Sequence, residues 1–173
     1  TLFRCPGRGD GSSKPSADFK NLDRVMRESM KYYGNHHLMG NITGNQDRAR
    51  FVSYADGSIK FDEDAKLAGW TRDIQSRGTA GYRKMEHLMA FIMTTPGVPC
   101  IYYGDEIGMP GGNDPDNRRM MKFDLLTMDQ RKLKSAVTRL THLRSQHMAL
   151  TYGDTRVLRN DSVFAYVRQY FGD

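Results

Sequence analysis

Val98-Pro99-Cys100-Ile101-Tyr102-Tyr103-Gly104-Asp105-Glu106-Ile107-Gly108-Met109 decides the fold. The nearly continuous apolar run from Val98 to Tyr103 reads as a strand with both faces covered, as in parallel sheets wrapped by helices. Pro96 and Pro99 punctuate the turn before it. Ahead of them, Met85, Leu88, Met89 and Ile92 share one face of a helix expected over 80–93, and these flexible side chains read as core filling. After the strand, residues 108–119 form a polar, turn-rich loop. Thr127 and Gln130 then have capping-box spacing for a helix running to about His147, with Leu133, Val137, Leu140 and Leu143 on its inner stripe.

Working outward, Leu22, Val25, Met26, Ser29, Met30 and Tyr33 repeat at helical spacing, which predicts a helix over 22–33 capped by Asn21. Residues 38–42 read as a short strand and 62–70 as a short helix. Near the C-terminus, 156–158 and 163–167 resemble two short strands joined through Asn160-Asp161, with Val163, Ala165 and Val167 on one side and Phe164 and Tyr166 on the other. Long helices separated by buried strands argue for an α/β layered or barrel arrangement. The shift near residue 150 marks the expected start of a second, all-β module, cut short at Asp173.

Composition narrows the function classes. At 173 residues the chain fits one ordinary domain, and 38% hydrophobic with 27% charged residues is globular. The net charge of +6 invites a nucleic-acid reading, but the positives alternate with acids, as from Lys60 to Lys66, and no basic stripe emerges. No apolar run of about 18 residues exists to span a membrane. Residues 1–20 are rich in glycine and serine and read as a loop; Arg8-Gly9-Asp10 within them is taken as a chance tripeptide. Cys5 and Cys100 make no disulfide framework, and Cys100 is expected as a small buried thiol. Thr1 reads as an internal cut.

The residues that can carry chemistry lie after the two inner strands. Asp47 sits among Asn45, Gln46, Arg48 and Arg50. A carboxylate so flanked suits hydroxyl binding or stabilisation of a cationic transition state better than proton donation, and the competing reading is a surface ion-pair cluster. Asp105 and Glu106 end the strand-like run, where adjacent side chains point to opposite faces, so one approaches a cleft while the other anchors a loop. Asp114, Asp116 and Asn117 evoke a calcium loop, but their spacing fails the helix-loop-helix pattern and Arg118 and Arg119 offset their charge. Loop architecture and substrate contact are the better reading, with Arg118 holding Asp116 or donating to a sugar hydroxyl. His36-His37 lacks a third ligand at metal spacing. Trp70, Tyr82, Tyr102 and Tyr103 offer surfaces for sugar stacking or packing. Phosphate-binding glycine motifs, Cys-x-x-Cys and the nucleophile elbow are absent.

Three segments taken in order, Gly44-Asn45-Gln46-Asp47-Arg48-Ala49-Arg50, residues 96–109 and Asp114-Pro115-Asp116-Asn117-Arg118-Arg119, closely resemble the C-terminal half of the alpha-amylase family of glycoside hydrolases. The likeness covers about residues 20–170 and is greatest to starch-degrading amylases and neopullulanases of Bacteroides-type gut bacteria. It implies a partial (β/α)8 TIM barrel over 1–150, with 38–45 near the seventh strand, 98–103 the eighth and the helix from Thr127 closing the barrel. Residues 151–173 would begin a C-terminal β-sandwich.

By that resemblance Asp47 takes the third essential carboxylate position, binding hydroxyls of the glucose unit at the cleavage point and stabilising an oxocarbenium-like transition state. Asn45, Gln46, Asp116 and Arg118 would bind substrate, while Arg50, Asp105 and Glu106 support the loops. Gln46 departs from the family's usual histidine; it can donate a hydrogen bond but cannot add positive charge at low pH. The family's nucleophile and acid/base glutamate lie on the fourth and fifth strands, upstream of Thr1, so the isolated chain is expected to be inactive and to need the N-terminal part of the barrel as its partner. The resemblance implies cleavage of alpha-1,4-glucosidic bonds in starch or maltodextrins by a retaining mechanism. Neopullulanase, cyclomaltodextrinase and alpha-glucosidase activities, or a noncatalytic glucan-binding role, remain alternatives. No cofactor is expected within this segment; calcium belongs to the complete protein, which would be periplasmic, secreted or tethered to an outer membrane.

Overall fold

The computed structural model describes residues 18–171. Cys5, the Arg8-Gly9-Asp10 tripeptide and most of the expected N-terminal loop lie outside the described residues.

Strand β1 (Gly40–Ile42) lies parallel to β2 (Val98–Cys100), with Gly40 opposite Val98 and Ile42 opposite Cys100. Parallel neighbours require a long crossover. Here it contains α2 (Phe51–Ala55), α3 (Ala65–Thr71) and α4 (Thr79–Thr94). After β2 comes α5 (Met128–Gln146), which packs along α4. Their shared core is Met85, Met89, Ile92 and Met93 against Leu133 and Val137. The methionines therefore fill the interior, as their spacing predicts. The capping box forms as expected: Thr127 accepts from the Gln130 N–H while the Gln130 side chain accepts from the Thr127 N–H. Leu143 departs from the inner stripe and is 41% exposed.

Helix α1 (Phe19–Tyr33) starts three residues before the predicted Leu22. Asp18 is its cap, accepting from the Asn21 N–H at 2.8 Å, so Asn21 lies inside the first turn rather than before it. Helix α3, by contrast, begins after its predicted start at residue 62, because Asp64 accepts from the N–H groups of Lys66 and Leu67. Beneath α2 and α3 a small-residue cluster of Ala49, Ile59, Ala65, Ala68 and Ile74 closes a second core.

Strand β2 is shorter than the apolar run that predicts it. It stops at Cys100 because the Thr43 hydroxyl, not a ladder carbonyl, accepts from the Tyr102 N–H at 3.0 Å. The expected two-sided cover is absent: Val98 is 43% exposed, and Cys100 is exposed rather than a buried thiol. Among the described residues the sheet has two strands, so neither has a second neighbour to shield it.

The last elements are α6 (Met148–Tyr152) and an antiparallel hairpin of β3 (Asp154–Asn160) and β4 (Phe164–Gln169), both strands longer than predicted. The hairpin leans on the helices. The Phe164 ring lies 6.0 Å from that of Phe19 and 6.4 Å from that of Phe91, and the Tyr166 hydroxyl bonds to Thr94.

Candidate functional site

The loops leaving the carboxyl ends of β1 and β2 are tied together through one buried arginine. Arg50 Nε donates to the Asn117 carbonyl at 3.0 Å, and one terminal nitrogen donates to the Tyr103 carbonyl at 2.6 Å and to Asp105 Oδ1 at 2.9 Å. The rings of Tyr102 and Tyr103 lie 4.2 and 4.9 Å from the guanidinium carbon. Both charges of the Arg50–Asp105 pair are almost wholly shielded from water. Thr43 completes the arrangement by donating its hydroxyl proton to Asp105 Oδ2 at 2.6 Å. Burial pushes the Asp105 carboxyl above its ordinary range, against the opposing pull of the Thr43 hydrogen bond and the Arg50 charge.

Asn117 is the second fastener. Its side-chain nitrogen donates to the Arg48 carbonyl at 2.7 Å and the Asn45 carbonyl at 3.2 Å, which locks the 45–48 turn onto the loop after β2. Its side-chain oxygen, Oδ1, is buried without a hydrogen-bond partner. Asp105 and Glu106 do not end a strand, as the sequence predicts. They sit on a single 3-10 turn, Asp105–Ile107, entered through Gly104 at φ 84, a backbone conformation that glycine adopts without strain. Asp105 turns into the arginine knot, whereas one Glu106 oxygen is buried without a partner.

Held by this frame, Asp47 projects outward with its side chain 67% exposed. Asn45 shapes the turn by accepting from the Asp47 N–H at 2.9 Å, and Gln46 Nε2 stands 3.2 Å from Asp47 Oδ2. Arg118 reaches across from the other loop: a terminal nitrogen is 3.7 Å from Asp47 Oδ1 and 2.9 Å from Asp114 Oδ1, while Nε donates to the Gln46 carbonyl at 3.3 Å. The structure thus brings Asn45, Gln46, Asp47 and Arg118 to one exposed rim, with Arg50 and Asp105 beneath.

Asp116 is placed differently. Arg119 grips both of its oxygens at 2.9 Å, and the Gly112 N–H donates to one of them at 2.6 Å. It is Arg119, not Arg118, that holds Asp116; Arg118 holds Asp114. The Asp114–Pro115 peptide between them is cis. With Asp114 and Asp116 each committed to an arginine, these donors do not fit a calcium ion. Among the described residues no three His, Cys, Asp or Glu side chains converge as metal ligands. His36 lies beside Asp154 at 3.1 Å.

The four aromatics singled out in the sequence separate. Tyr102 and Tyr103 bracket Arg50, Tyr82 packs against the α4–α5 core, and Trp70 stands 68% exposed. Thr43 was missed by sequence reasoning, while Asn117 and Arg119 were singled out only as a calcium-like ligand and a charge offset, not as the groups that fasten the loops. Thr43 precedes Gly44 at a strand end, and Asn117 lies between an aspartate and an arginine, so only the three-dimensional closeness of the loops reveals them.

Comparisons with known proteins bear on the family and the fold. Residues 9–148 match the model of the alpha-amylase catalytic domain. The cyclomaltodextrinase of Geobacillus thermopakistaniensis (strain MAS1) is 47% identical over 79 residues, which are 46% of this chain and 13% of that enzyme. The cyclomaltodextrin glucanotransferase of Bacillus sp. (strain 1011) is 43% identical over 91 residues, 51% of this chain and 12% of the relative. Among solved structures, the alpha-amylase of Geobacillus thermoleovorans complexed with acarbose superposes with a TM-score of 0.65 at 29% identity, over 89% of this chain and 30% of that one. The chain spans under a third of the length of each of these relatives, and its fold is that of a part of their TIM barrel.

Proposed function

The chain belongs to the alpha-amylase family, and from that premise we propose that it forms one wall of the substrate cleft of a retaining alpha-glucan hydrolase. Asp47 is the carboxylate of that wall. The observation that carries this reading is the contrast between the exposed Asp47 and the buried Arg50–Asp105–Thr43 knot that holds its loop: a fixed anion is presented at the carboxyl end of a parallel strand pair, where barrel enzymes collect their reacting groups.

In this role Asp47 accepts hydrogen bonds from hydroxyls of the sugar at the cleaved linkage and stabilises positive charge as it develops on the ring. Gln46 and Arg118 donate to neighbouring hydroxyls, and Asn45 keeps the turn in shape. The arginine clamps on Asp116 make its share in substrate binding one of shaping the rim. A retaining reaction also needs a nucleophile and an acid, roughly 5 Å apart. Asp105 cannot serve, being paired with Arg50 and shut from solvent, and both groups are assigned to the remainder of the barrel.

The relatives are named cyclomaltodextrinase, cyclomaltodextrin glucanotransferase and alpha-amylase, so the bond preferred by this protein is proposed only as alpha-1,4 in starch or maltodextrin. Residues 154–169 are proposed to open a following β module, because Leu158 and Val163 leave an apolar surface to the hairpin that further strands would cover. In the full-length protein, Asp47→Asn should lower kcat on soluble starch by about 10²–10³-fold or more, with folding little changed. Wild-type turnover in that variant overturns the assignment. A wild-type protein that binds maltodextrin without releasing reducing ends replaces it with a noncatalytic binding role.

A further inference from the structure

Helix α3 lies on the loop that carries Asp114 and Asp116. The Ala65 carbonyl accepts from the Asn113 N–H at 3.0 Å, and one turn later Gly69 rests against Asp116, where a Cβ would come within 2.7 Å of the aspartate's own. Positions 65 and 69 are therefore the ridge facing the loop. Lys66 and Trp70 form the adjoining ridge, four residues apart and stacked along one side of the helix.

That ridge continues the Asp47 rim. Arg118 lies 3.7 Å from Asp47 and 2.9 Å from Asp114, and Lys66 Nζ lies 3.8 Å from the other Asp114 oxygen. A row of charged groups thus leads away from the candidate cleavage point and ends at an indole that is 68% exposed, with Leu67 open beside it. Isolated exposed apolar residues need no explanation, but a bare tryptophan at the end of a line of hydroxyl-bonding groups fits a ligand with apolar faces and polar edges. A pyranose chain is such a ligand.

We propose that Trp70 and Lys66 form an outer glucosyl subsite, the indole taking a ring face of a long alpha-glucan whose cleaved linkage lies at Asp47, with Lys66 and Asp114 bonding hydroxyls of the units between. This rests on the reading of Asp47 given above. The subsite makes the enzyme favour long chains over short ones, since a short substrate filling the cleavage point does not reach α3.

The test uses the full-length protein. Trp70→Ala should lose about tenfold more kcat/KM on maltoheptaose than on maltotriose, and Trp70→Tyr should recover most of that difference. Equal losses on the two substrates, or no loss on either, overturn the subsite. Calorimetric binding of maltoheptaose to Asp47→Asn, with and without Trp70→Ala, separates this inference from the one it rests on because no turnover is needed. A Kd about tenfold weaker in the double variant supports the subsite even where Asp47 proves dispensable, and equal Kd values overturn it.

Discussion

Arginines secure both ends of the parallel strand pair, but they do so with different chemistry. At the carboxyl end, Arg50 is buried and bonds to a buried carboxylate, Asp105, as well as to carbonyls. At the opposite end, Arg144 of α5 donates to the carbonyls of Met93, Thr95 and Gly97, and Arg168 of β4 donates to those of Thr94 and Gly153. There the bonded partners are carbonyl oxygens, among them those of Met93, Thr94 and Thr95 at the C-terminus of α4, whose dipole favours nearby cations. Partial burial pushes both guanidinium groups below their ordinary values. The first arrangement fixes a loop in one geometry and penalises any loss heavily; the second staples the hairpin to the helices and strands no opposite charge when it is broken.

The sharpest way to break this comparison is at Arg50. Removing one member of a buried ion pair leaves the other uncompensated, so Arg50→Met in the full-length protein should cost about 3–5 kcal/mol, read as a fall in the denaturation midpoint. Adding Asp105→Asn to Arg50→Met should return part of that loss, because the stranded charge is then gone. A double variant no more stable than Arg50→Met would show that the arginine acts through its carbonyl bonds alone, as at the other end.

A smaller effect is expected from Arg144→Met. Three carbonyl acceptors on the buried residues Met93, Thr95 and Gly97 lose a charged donor, but no charge is stranded, so the cost should be about 1–3 kcal/mol. Turnover at the Asp47 rim should stay within about a factor of two, since Arg144 is at the far end of the strands. A loss as large as that for Arg50→Met would mean that the two ends do not differ in kind.

What the sequence reveals follows the same division. The α4–α5 pair was legible because its methionines and leucines keep a helical period over several turns, and Thr127 with Gln130 announces where α5 begins. The loop residues Asn45 to Arg50 were legible as a group through their resemblance to a family. The apolar run after Pro96 reads as a covered strand because, with neighbouring strands on both sides, it would be one; among the described residues Val98 and Cys100 are open. The ion-pair partners in the second loop were misassigned between Arg118 and Arg119. Adjacent arginines beside alternating acids have several pairings of similar spacing, and only the backbone turn at Asp116–Arg118 selects among them. Thr43 carried no sequence signal and Asn117 only that of a loop oxygen, since their partners lie about sixty or seventy residues away.

The smallest expected effect concerns an ion pair that resembles neither end. Glu63 and Arg72 brace the segment before α3 at the surface, where both side chains remain partly exposed. The Arg72 hydrogen bond holds the Glu63 carboxyl at about 2, below its ordinary value. A carboxyl depressed on folding contributes stability above its unfolded pKa, near 4.3, and loses it as pH falls toward the folded value. The stability gap between wild type and Glu63→Gln should therefore be present at pH 7, well under 1 kcal/mol because solvent screens an exposed pair, and should close between about pH 5 and pH 2. Thermal midpoints of the two proteins across that range check it, with the titration of all other carboxylates common to both. A gap that persists at pH 2 would assign Glu63 to packing rather than charge, and the exposed pair would then fall on the same side as the carbonyl-bound arginines.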